Sequence, residues 1–319
     1  MDIAQLALLR ELAERGSVTA VAAATGKSPS AVSQQLKTLQ RQVGVVLVER
    51  VGRGVRLTDA GEALAASSVK VATAIAEAES TWSAYRGGAA GVVSVAFFSS
   101  ASELLVPGLV ERMQRHPGIE VRFDDQDVSQ DDFAALTADY DIVVAHRSDD
   151  SLPPERRALT VVPLLREPLD VAVPLDHPLA GRASVTPAEV IGERWIGVPR
   201  DYPLDRVLQA MAAQLGTPAN VVHRTTHLPL IENLIAAGHG VGLVPRQTSQ
   251  SRAEGRYRLV PLADMRAGRH LEALLRPDRA ARRAVRLVLD ELVAEAAVRA
   301  PHPAANVTGR QQTPDRVSP

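Results

Sequence analysis

Residues 17–37 have the pattern of a helix-turn-helix, in which two short helices cross closely. Small residues lie at the crossing, a glycine lies in the turn, and polar residues lie on the second helix. Ala22 permits a close crossing, Gly26 suits a tight turn, and Val32 is a buried residue of the second helix. The outward face of that helix carries groups that hydrogen-bond base edges and phosphates in the major groove of DNA. These candidate DNA-binding residues are Ser28, Pro29 (the first helical position), Ser30, Ser33, Gln34 and Lys37.

Residues 45–57 predict a two-stranded wing that turns at Gly52-Arg53-Gly54. Residues 1–60 hold eight Lys/Arg against five Asp/Glu, whereas the rest of the chain holds 28 against 32. The N-terminal part is thus basic and the rest of the chain is mildly acidic, which indicates that the N-terminal part contacts a polyanion. We therefore add Arg50 and Arg53 to the candidate DNA-binding residues. A three-helix unit that packs without touching DNA remains the alternative.

A long helix is predicted to begin after Thr58, and its apolar residues recur at steps of three and four. Such a seam needs a partner helix, which we expect to be that of a second copy. A helix that packs only against its own domain is the alternative. The dimerisation residues on this seam are Leu64, Val71, Ile75, Ala78 and Trp82. Glycine and alanine at 87–91 then indicate a hinge.

From residue 92 strands alternate with helices, which predicts α/β structure with ligands at the carboxyl ends of strands. Separate strands are expected at 161–165 and 169–174, and helices at 103–115 and 279–298. The predicted domains are a winged helix-turn-helix (1–58), a linker and dimerisation helix (59–86), a hinge (87–91), a two-lobed effector-binding domain (92–298) and a disordered tail (299–319). Lobe 1 covers about 92–162 and 267–298, and lobe 2 about 163–266.

Polar and cationic residues follow several of these strands. Ser100 and Glu103 have the spacing of a capping box, and free amides at a helix N-terminus bind anions. We therefore expect a small carboxylate effector between the lobes. The alternative is that the hydroxyls only cap helices and the arginines are solvated. The candidate effector-binding residues are Ser99, Ser100, Ala101, Arg147, Arg200, Thr225 and Thr226.

Together these features resemble the LysR-type transcriptional regulators. The matching residues are Ala22, Ser28, Ala31-Val32-Ser33, Leu39, Gly44, Leu47, Arg50 and the run from Gly52 to Gly61, followed in the α/β part by Leu105-Val106-Pro107, His116-Pro117, Asp141-Ile142, His177-Pro178-Leu179-Ala180 and Ala237 to Pro245. The resemblance covers roughly residues 1–297. It implies a winged helix-turn-helix, a dimerising linker helix and a two-lobed effector domain like periplasmic binding proteins, with mixed sheets and often in a tetramer.

The chain departs from the family pattern at a few positions of the N-terminal module. Thr25 and Lys27 stand where apolar residues are usual, Pro29 replaces a common Gln, Gln40 a common Glu, and Val48 a common Phe. Thr25 and Val48 weaken packing under the recognition helix and the wing, and Pro29 removes a side chain from the DNA-facing surface. These changes bear on DNA affinity and sequence preference more than on the fold.

Other classes of protein are disfavoured. The chain has no cysteine, which excludes thiolate catalysis and disulfides. No 18-residue apolar run, phosphate loop, dinucleotide fingerprint, nucleophile elbow or metal-ligand set is present. We expect no enzyme activity, cofactor, metal or membrane contact. The expected function is a cytoplasmic, homodimeric or homotetrameric regulator that binds a partly palindromic operator in double-stranded DNA and a small-molecule effector. The alternative is a cytoplasmic solute-sensing protein whose N-terminal module serves assembly.

Overall fold

Three helices and a two-stranded wing form the N-terminal module of the computed structural model, which describes residues 1–52, 54–85, 88–149, 151 and 159–300. The elements are α1 (Ile3–Arg15), α2 (Val18–Thr25), α3 (Pro29–Val43), β1 (Val48–Val51) and β2 (Gly54–Leu57). Each helix begins after a polar cap (Asp2, Ser17, Ser28) and ends at a glycine with positive φ (Gly16, Gly26, Gly44). Leu9, Val21, Val32 and Leu39 are fully buried between the helices.

Helix α4 (Asp59–Tyr85) leaves the wing and packs along α1. The Thr58 hydroxyl accepts the amide of Gly61 at 3.1 Å and donates to the Val46 carbonyl at 2.8 Å, which joins the helix start to the wing. Gly61 lies against the backbone of Leu47, where a Cβ would overlap the Leu47 carbonyl oxygen. The first turn of α4 therefore requires glycine at this contact.

Lobe 1 is built on a mixed sheet covered by α5 and α12. Its elements are β3 (Gly91–Phe97), α5 (Ser99–Met113), β4 (Ile119–Asp125), α6 (Phe133–Leu136), β5 (Ile142–Ser148), β11 (Gly268–Leu275), α11 (Pro277–Ala280) and α12 (Arg283–Arg299). Strand β3 pairs in parallel with β4 and β5, and β11 pairs antiparallel with β5. Leu105, Leu109, Val288 and Leu292 are buried between the helices and the sheet.

Lobe 2 continues from the long strand β6. Its elements are β6 (Thr160–Pro174), α7 (Pro187–Val190), β7 (Arg194–Gly197), α8 (Pro203–Leu215), β8 (Asn220–Arg224), α9 (Leu228–Ala236), β9 (Gly242–Pro245), α10 (Arg246–Ala253) and β10 (Tyr257–Pro261). Strand β6 pairs with β11 along its first part and with β9 and β10 along its second, so it belongs to both lobes. The sheet order is β10-β6-β11-β5-β3-β4, with β9 also on β6, and β7 pairs with β8.

The predicted fold class is confirmed: an N-terminal helix-turn-helix region precedes a mixed-sheet α/β domain, whose two lobes have separate apolar cores. Several predicted elements are wrong in detail. The strands expected at 161–165 and 169–174 are one strand, because Glu167 between them is buried and paired with Arg269 of β11. Helix α10 was not predicted, and the helix expected at 279–298 is divided into α11 and α12.

Two predicted boundaries also shift. Helix α12 runs to Arg299, and Gly91, predicted as the end of the hinge, is the first residue of β3. Among the described residues, no helix is long and apolar enough to cross a membrane. The tail from residue 301, Arg53 at the wing tip and Gly87 of the hinge lie outside the described residues.

Gly61→Ala tests the close approach of α4 to the wing. The added methyl group must displace the Leu47 backbone, and overpacking of this kind destabilises a folded module by about 2 kcal/mol. Hydrogen exchange followed by mass spectrometry should show faster exchange in residues 45–65, with the two lobes unchanged. Gly54→Ala, whose Cβ would find only ordinary contact at 3.7 Å, is the control. Equal exchange in both variants would contradict the assigned constraint.

Candidate DNA-binding and effector sites

Helix α3 presents its polar side chains on the face opposite its buried stripe of Val32, Leu36 and Leu39. The Ser28 hydroxyl accepts the amide of Ala31 at 3.2 Å, so this side chain serves first as the helix cap. The predicted DNA-facing residues lie together on this side: Ser28, Pro29, Ser30, Gln34 and Lys37 are exposed, and Ser33 is half-buried. The arrangement gives a rigid, capped helix with an open polar face.

The wing is held against the C-terminal half of α3 by a side chain that the sequence analysis did not assign. The Gln40 carboxamide oxygen accepts the amides of Leu47 and Val48 at 2.9 and 2.8 Å. On the wing, Arg50 is exposed, whereas Arg56 forms an exposed ion pair with Glu49 at 2.7 Å. Only the position of Gln40 as a departure from the family pattern could have drawn attention to it.

The predicted seam of α4 is only partly open. Val71, Ala78 and Trp82 are exposed, and the Trp82 ring stacks on Tyr85 with centroids 5.6 Å apart. Leu64 is instead half-buried against the core of the N-terminal module, and Ile75 lines a cavity between α1, α4 and α11. The exposed residues of the predicted seam therefore lie from the middle of α4 to its C-terminal end.

The start of α5 differs from its prediction. Ser100 lies inside the helix, because the Phe98 carbonyl already accepts the amides of Ala101 and Ser102, and the expected capping box does not form. The Ser99 hydroxyl donates to the Asp125 carboxylate at 3.1 Å. The first turn of α5 thus stands at the carboxyl end of β3, where an α/β domain binds ligands.

A buried polar network joins this turn to lobe 2. Arg269 donates to the Ser100 hydroxyl at 3.0 Å and to the Glu167 carboxylate at 2.7 Å. The other Glu167 oxygen accepts the amide and the hydroxyl of Thr248, both at 2.8 Å. Arg269 is 3% exposed and Glu167 is fully buried. Sequence reasoning missed this pair, since nothing local relates two residues on strands so far apart in the chain.

Aromatic and titratable groups also lie where the two lobes meet. The His146 ring packs edge-on against Phe98 and Phe133, with centroids 4.8 Å away in both cases. From lobe 2, the Tyr202 hydroxyl donates to the Asp127 carbonyl at 3.1 Å. Burial raises the pKa of the Asp127 carboxyl, the nearby Asp125 raises it further, and Arg269 and a Thr226 hydrogen bond oppose the shift.

The remaining effector candidates divide into two groups. Thr226 meets Asp127 across the cleft, and the Thr225 hydroxyl accepts the amide of His227 at 3.2 Å. Arg147 points to the face of β5 opposite His146, because neighbouring strand residues alternate, and it pairs with Glu272 at 2.7 Å. It thus lies on the other face of the strand from His146, and its predicted contact with an effector stays a prediction. Arg200 is exposed and pairs with no carboxylate in the part of the chain that the structure covers.

The buried imidazole of His146 makes the protein sensitive to acid. Burial lowers the pKa of His146 from 6.5 to about 3, and the charge of Arg269 adds to this effect. The unfolded chain takes up a proton below about pH 6.5, whereas the folded protein does not, so the free energy of unfolding falls between pH 6.5 and 3.

His146→Phe removes this proton uptake and should make the free energy of unfolding less pH-dependent by up to about 1.4 kcal/mol per pH unit in that window. Urea unfolding at pH 7, 6, 5 and 4 measures how the free energy of unfolding changes with pH. Thr217→Val, an exposed position without a titratable group, should keep the wild-type pH dependence. A variant His146→Phe that loses stability with acid as steeply as wild type would contradict the assignment.

Comparisons with known proteins show the family to which both parts of the chain are similar. The family "Bacterial regulatory helix-turn-helix protein, lysR family" matches residues 3–62, and "LysR substrate binding domain" matches residues 86–297. The HTH-type transcriptional regulator CbbR of Xanthobacter flavus is 27% identical over 320 residues, which cover 98% of this chain and 94% of that protein. The DNA-binding transcriptional dual regulator OxyR of Escherichia coli (strain K12) is 26% identical over 246 residues, 77% of this chain and 79% of OxyR.

Solved structures share the fold. A full-length OxyR variant from Pseudomonas aeruginosa superposes with a TM-score of 0.65 at 18% identity, covering 93% of this chain and 95% of that one. Full-length CbnR in complex with its target DNA superposes with a TM-score of 0.52 at 18% identity, covering 93% and 100%. Because the two family matches span the helix-turn-helix module and both lobes, the chain belongs to the LysR family of transcriptional regulators.

Proposed function

We propose that this LysR-type regulator binds a partly palindromic operator in double-stranded DNA through α3 and the wing. The observation that carries the proposal is the open polar face of α3, on which Gln34 and Lys37 are exposed on a helix fixed by its cap and by Gln40. A helix of this kind enters the major groove with its N-terminal half against base edges.

The side chains divide by the chemistry that they offer to DNA. The Gln34 carboxamide donates and accepts at once, which matches the N6 and N7 edge of adenine. Lys37 and Arg50 pair with no acid among the described residues and are exposed, so they are available to phosphates. Ser30 and Ser33 suit either role. The predicted contact of Arg53 at the wing tip belongs to the same proposal.

A two-fold-related site requires two recognition helices, and we propose that α4 supplies the contact between copies. The exposed Trp82, Val71 and Ala78 lie on one side of α4, and a second α4 would cover them. A homodimer built this way, or a homotetramer made of two such dimers, presents α3 twice to the DNA. A protein with this activity works where the chromosome is, which places it in the cytoplasm.

The effector site is proposed between the lobes, around Ser99, Asp127, Tyr202, Thr225 and Thr226. The first-turn amides of α5 favour an anionic group, whereas the Asp127 carboxyl favours a hydrogen-bond donor. A small carboxylate that also carries a hydroxyl or an amine satisfies both. Such a ligand acts only if it binds one arrangement of the lobes better than another. Since the chain has no cysteine, oxidation of a thiol is excluded as its signal.

DNA binding is tested by incubating the purified protein with genomic fragments at two salt concentrations and sequencing the bound duplexes. Recovery of a shared, two-fold-related sequence is the expected result. Recovery of nothing above background from folded, oligomeric protein would overturn the proposal and favour a solute-sensing protein whose N-terminal module serves assembly.

Substitutions on α3 and the wing should separate phosphate contacts from base contacts. Lys37→Ala and Arg50→Ala should weaken binding to every duplex. Each should also make the plot of the logarithm of the binding constant against the logarithm of the salt concentration less steep, by about one unit. Gln34→Ala should instead lose about 1–3 kcal/mol of discrimination at one base pair. Fluorescence anisotropy with the selected duplex at several salt concentrations measures both. Arg258→Ala, at an exposed cation of lobe 2, is the control and should leave the slope unchanged.

The effector site is tested by thermal shift with a panel of small hydroxy- and amino-carboxylic acids at millimolar concentration. A bound acid should raise the melting temperature, and Ser99→Ala and Thr226→Val should each weaken its binding about tenfold through one lost hydrogen bond. Thr217→Val, at the far end of lobe 2, should bind as wild type does. The proposal fails if no acid of the panel shifts the melting temperature, or if both cleft variants keep the full shift.

A further inference from the structure

The C-terminal half of α1 is joined to lobe 1 by a cluster of charges that neither proposed site uses. Arg276, directly after β11, donates to Glu11 at 3.1 Å and to Glu14 at 2.8 Å. Its Nε donates to Asp278 at 3.2 Å. The Arg276 side chain is only 3% exposed, so this guanidinium is buried between the N-terminal module and the effector domain.

Two arginines of α1 in turn pair with carboxylates of lobe 1. Arg10 lies 3.3 Å from the carboxylate of Asp278. Arg15 lies 2.8 Å from the Asp139 carboxylate and donates to the Ala138 carbonyl at 2.9 Å. Charges of opposite sign thus meet from both sides of the boundary. We call this set the α1 clamp: Arg10, Glu11, Glu14 and Arg15 of α1, with Asp139, Arg276 and Asp278 of lobe 1.

The clamp is not an extension of an apolar core. The buried apolar residues of the N-terminal module and those of lobe 1 form separate clusters. Cavities of about 190, 260 and 420 Å³ border the contact, lined by residues of α1, α4 and lobe 1. The ion pairs of the clamp have gaps around them, and α4 packs against α11 beside them. Because each side has its own apolar core, we expect both sides to stay folded when the clamp opens.

Strand β11 connects the clamp to the effector site. Arg269 near its start holds Glu167 and Ser100 beside the cleft, and Arg276 follows its last residue. The two arginines are seven residues apart, about 23 Å along an extended strand. Strand β11 is paired on both sides, with β5 and with β6, and its register with β6 shifts once, between Leu271 and Glu272. We infer that a displacement at Arg269 is passed along this paired strand to Arg276.

We propose that the α1 clamp is a releasable latch, which docks the DNA-binding module on lobe 1 in one orientation and whose docked fraction is set through β11 by the state of the cleft. Docking fixes the position of α3 relative to the effector domain. Release allows α3 to move to the distance from the second copy's α3 that the operator requires. The latch itself does not depend on the proposed DNA binding, whereas its regulatory consequence does.

The latch is tested on the full chain without DNA, so that failure of the proposed function would not affect the result. The chain has no cysteine, so Ala23→Cys and Gln114→Cys, both exposed, carry spin labels at defined positions of α2 and lobe 1. Electron–electron distance measurements on labelled chain diluted with unlabelled chain should give one narrow distance when the clamp is intact.

Arg276→Gln leaves Glu11, Glu14 and Asp278 without their shared cation, and should reduce the docked fraction about tenfold. The double variant Glu11→Gln with Glu14→Gln removes the partners from the other side and should have the same effect. Arg115→Gln breaks an exposed ion pair of lobe 1 with Glu291 and should keep the narrow distance. Circular dichroism should show unchanged helix content in all variants.

Three results would overturn the proposal. An unchanged narrow distance in both clamp variants would mean that the charges do not hold the module. Loss of helix content together with docking would mean that the contact is part of folding and not a latch. The link through β11 is tested by Thr248→Val, which removes one hydrogen bond to Glu167 without leaving a charge unpaired. This variant should shift the docked fraction, and a wild-type distance distribution would refute the link.

Discussion

The ion pair between Arg269 and Glu167 is the contact on which the two-lobed domain depends. Both side chains are almost wholly removed from water where β6 and β11 pass between the lobes. A buried charge without partners is costly, and breaking such a pair from one side costs about 3–5 kcal/mol. The pair is tolerated because Ser100 of lobe 1 and Thr248 of lobe 2 satisfy its remaining hydrogen-bonding groups. The lobes must therefore meet in an arrangement that keeps all four side chains together.

How much could be predicted from the sequence depends on the distance over which each determinant acts. The helix-turn-helix follows from local features, such as the caps and the glycines that end each helix, and the sequence locates it well. The pairing of Arg269 with Glu167 joins residues 102 positions apart, and no local pattern indicates it. Ser100 shows the limit of local rules, because its capping-box spacing is present but the helix has already begun at Ser99.

The effector side was harder to predict for a second physical reason. Strand β5 is buried almost throughout, so its sequence lacks the alternation that assigns residues to faces. His146 and Arg147 are neighbours, and only the fold decides that the imidazole lies against the aromatic wall of the cleft while the guanidinium turns to Glu272. Likewise, Asp127 lies in a loop without a regular pattern, and its buried carboxyl is the reason that the proposed effector also donates a hydrogen bond.

The way in which the N-terminal module is attached has a consequence for signalling. Its core is separate from that of lobe 1, so its orientation depends on α4, on the ion pairs of α1 and on contacts such as the Arg286–Ser80 hydrogen bond of 2.8 Å. A ligand at the cleft changes an equilibrium only by its differential affinity for the two states. In the proposed latch, that difference in affinity acts on the ion pairs at the end of β11, because the N-terminal module and lobe 1 share no apolar core. In the proposed latch, α3 is repositioned through the small set of ion pairs around Arg276, while its own rigid packing preserves its pattern of polar groups.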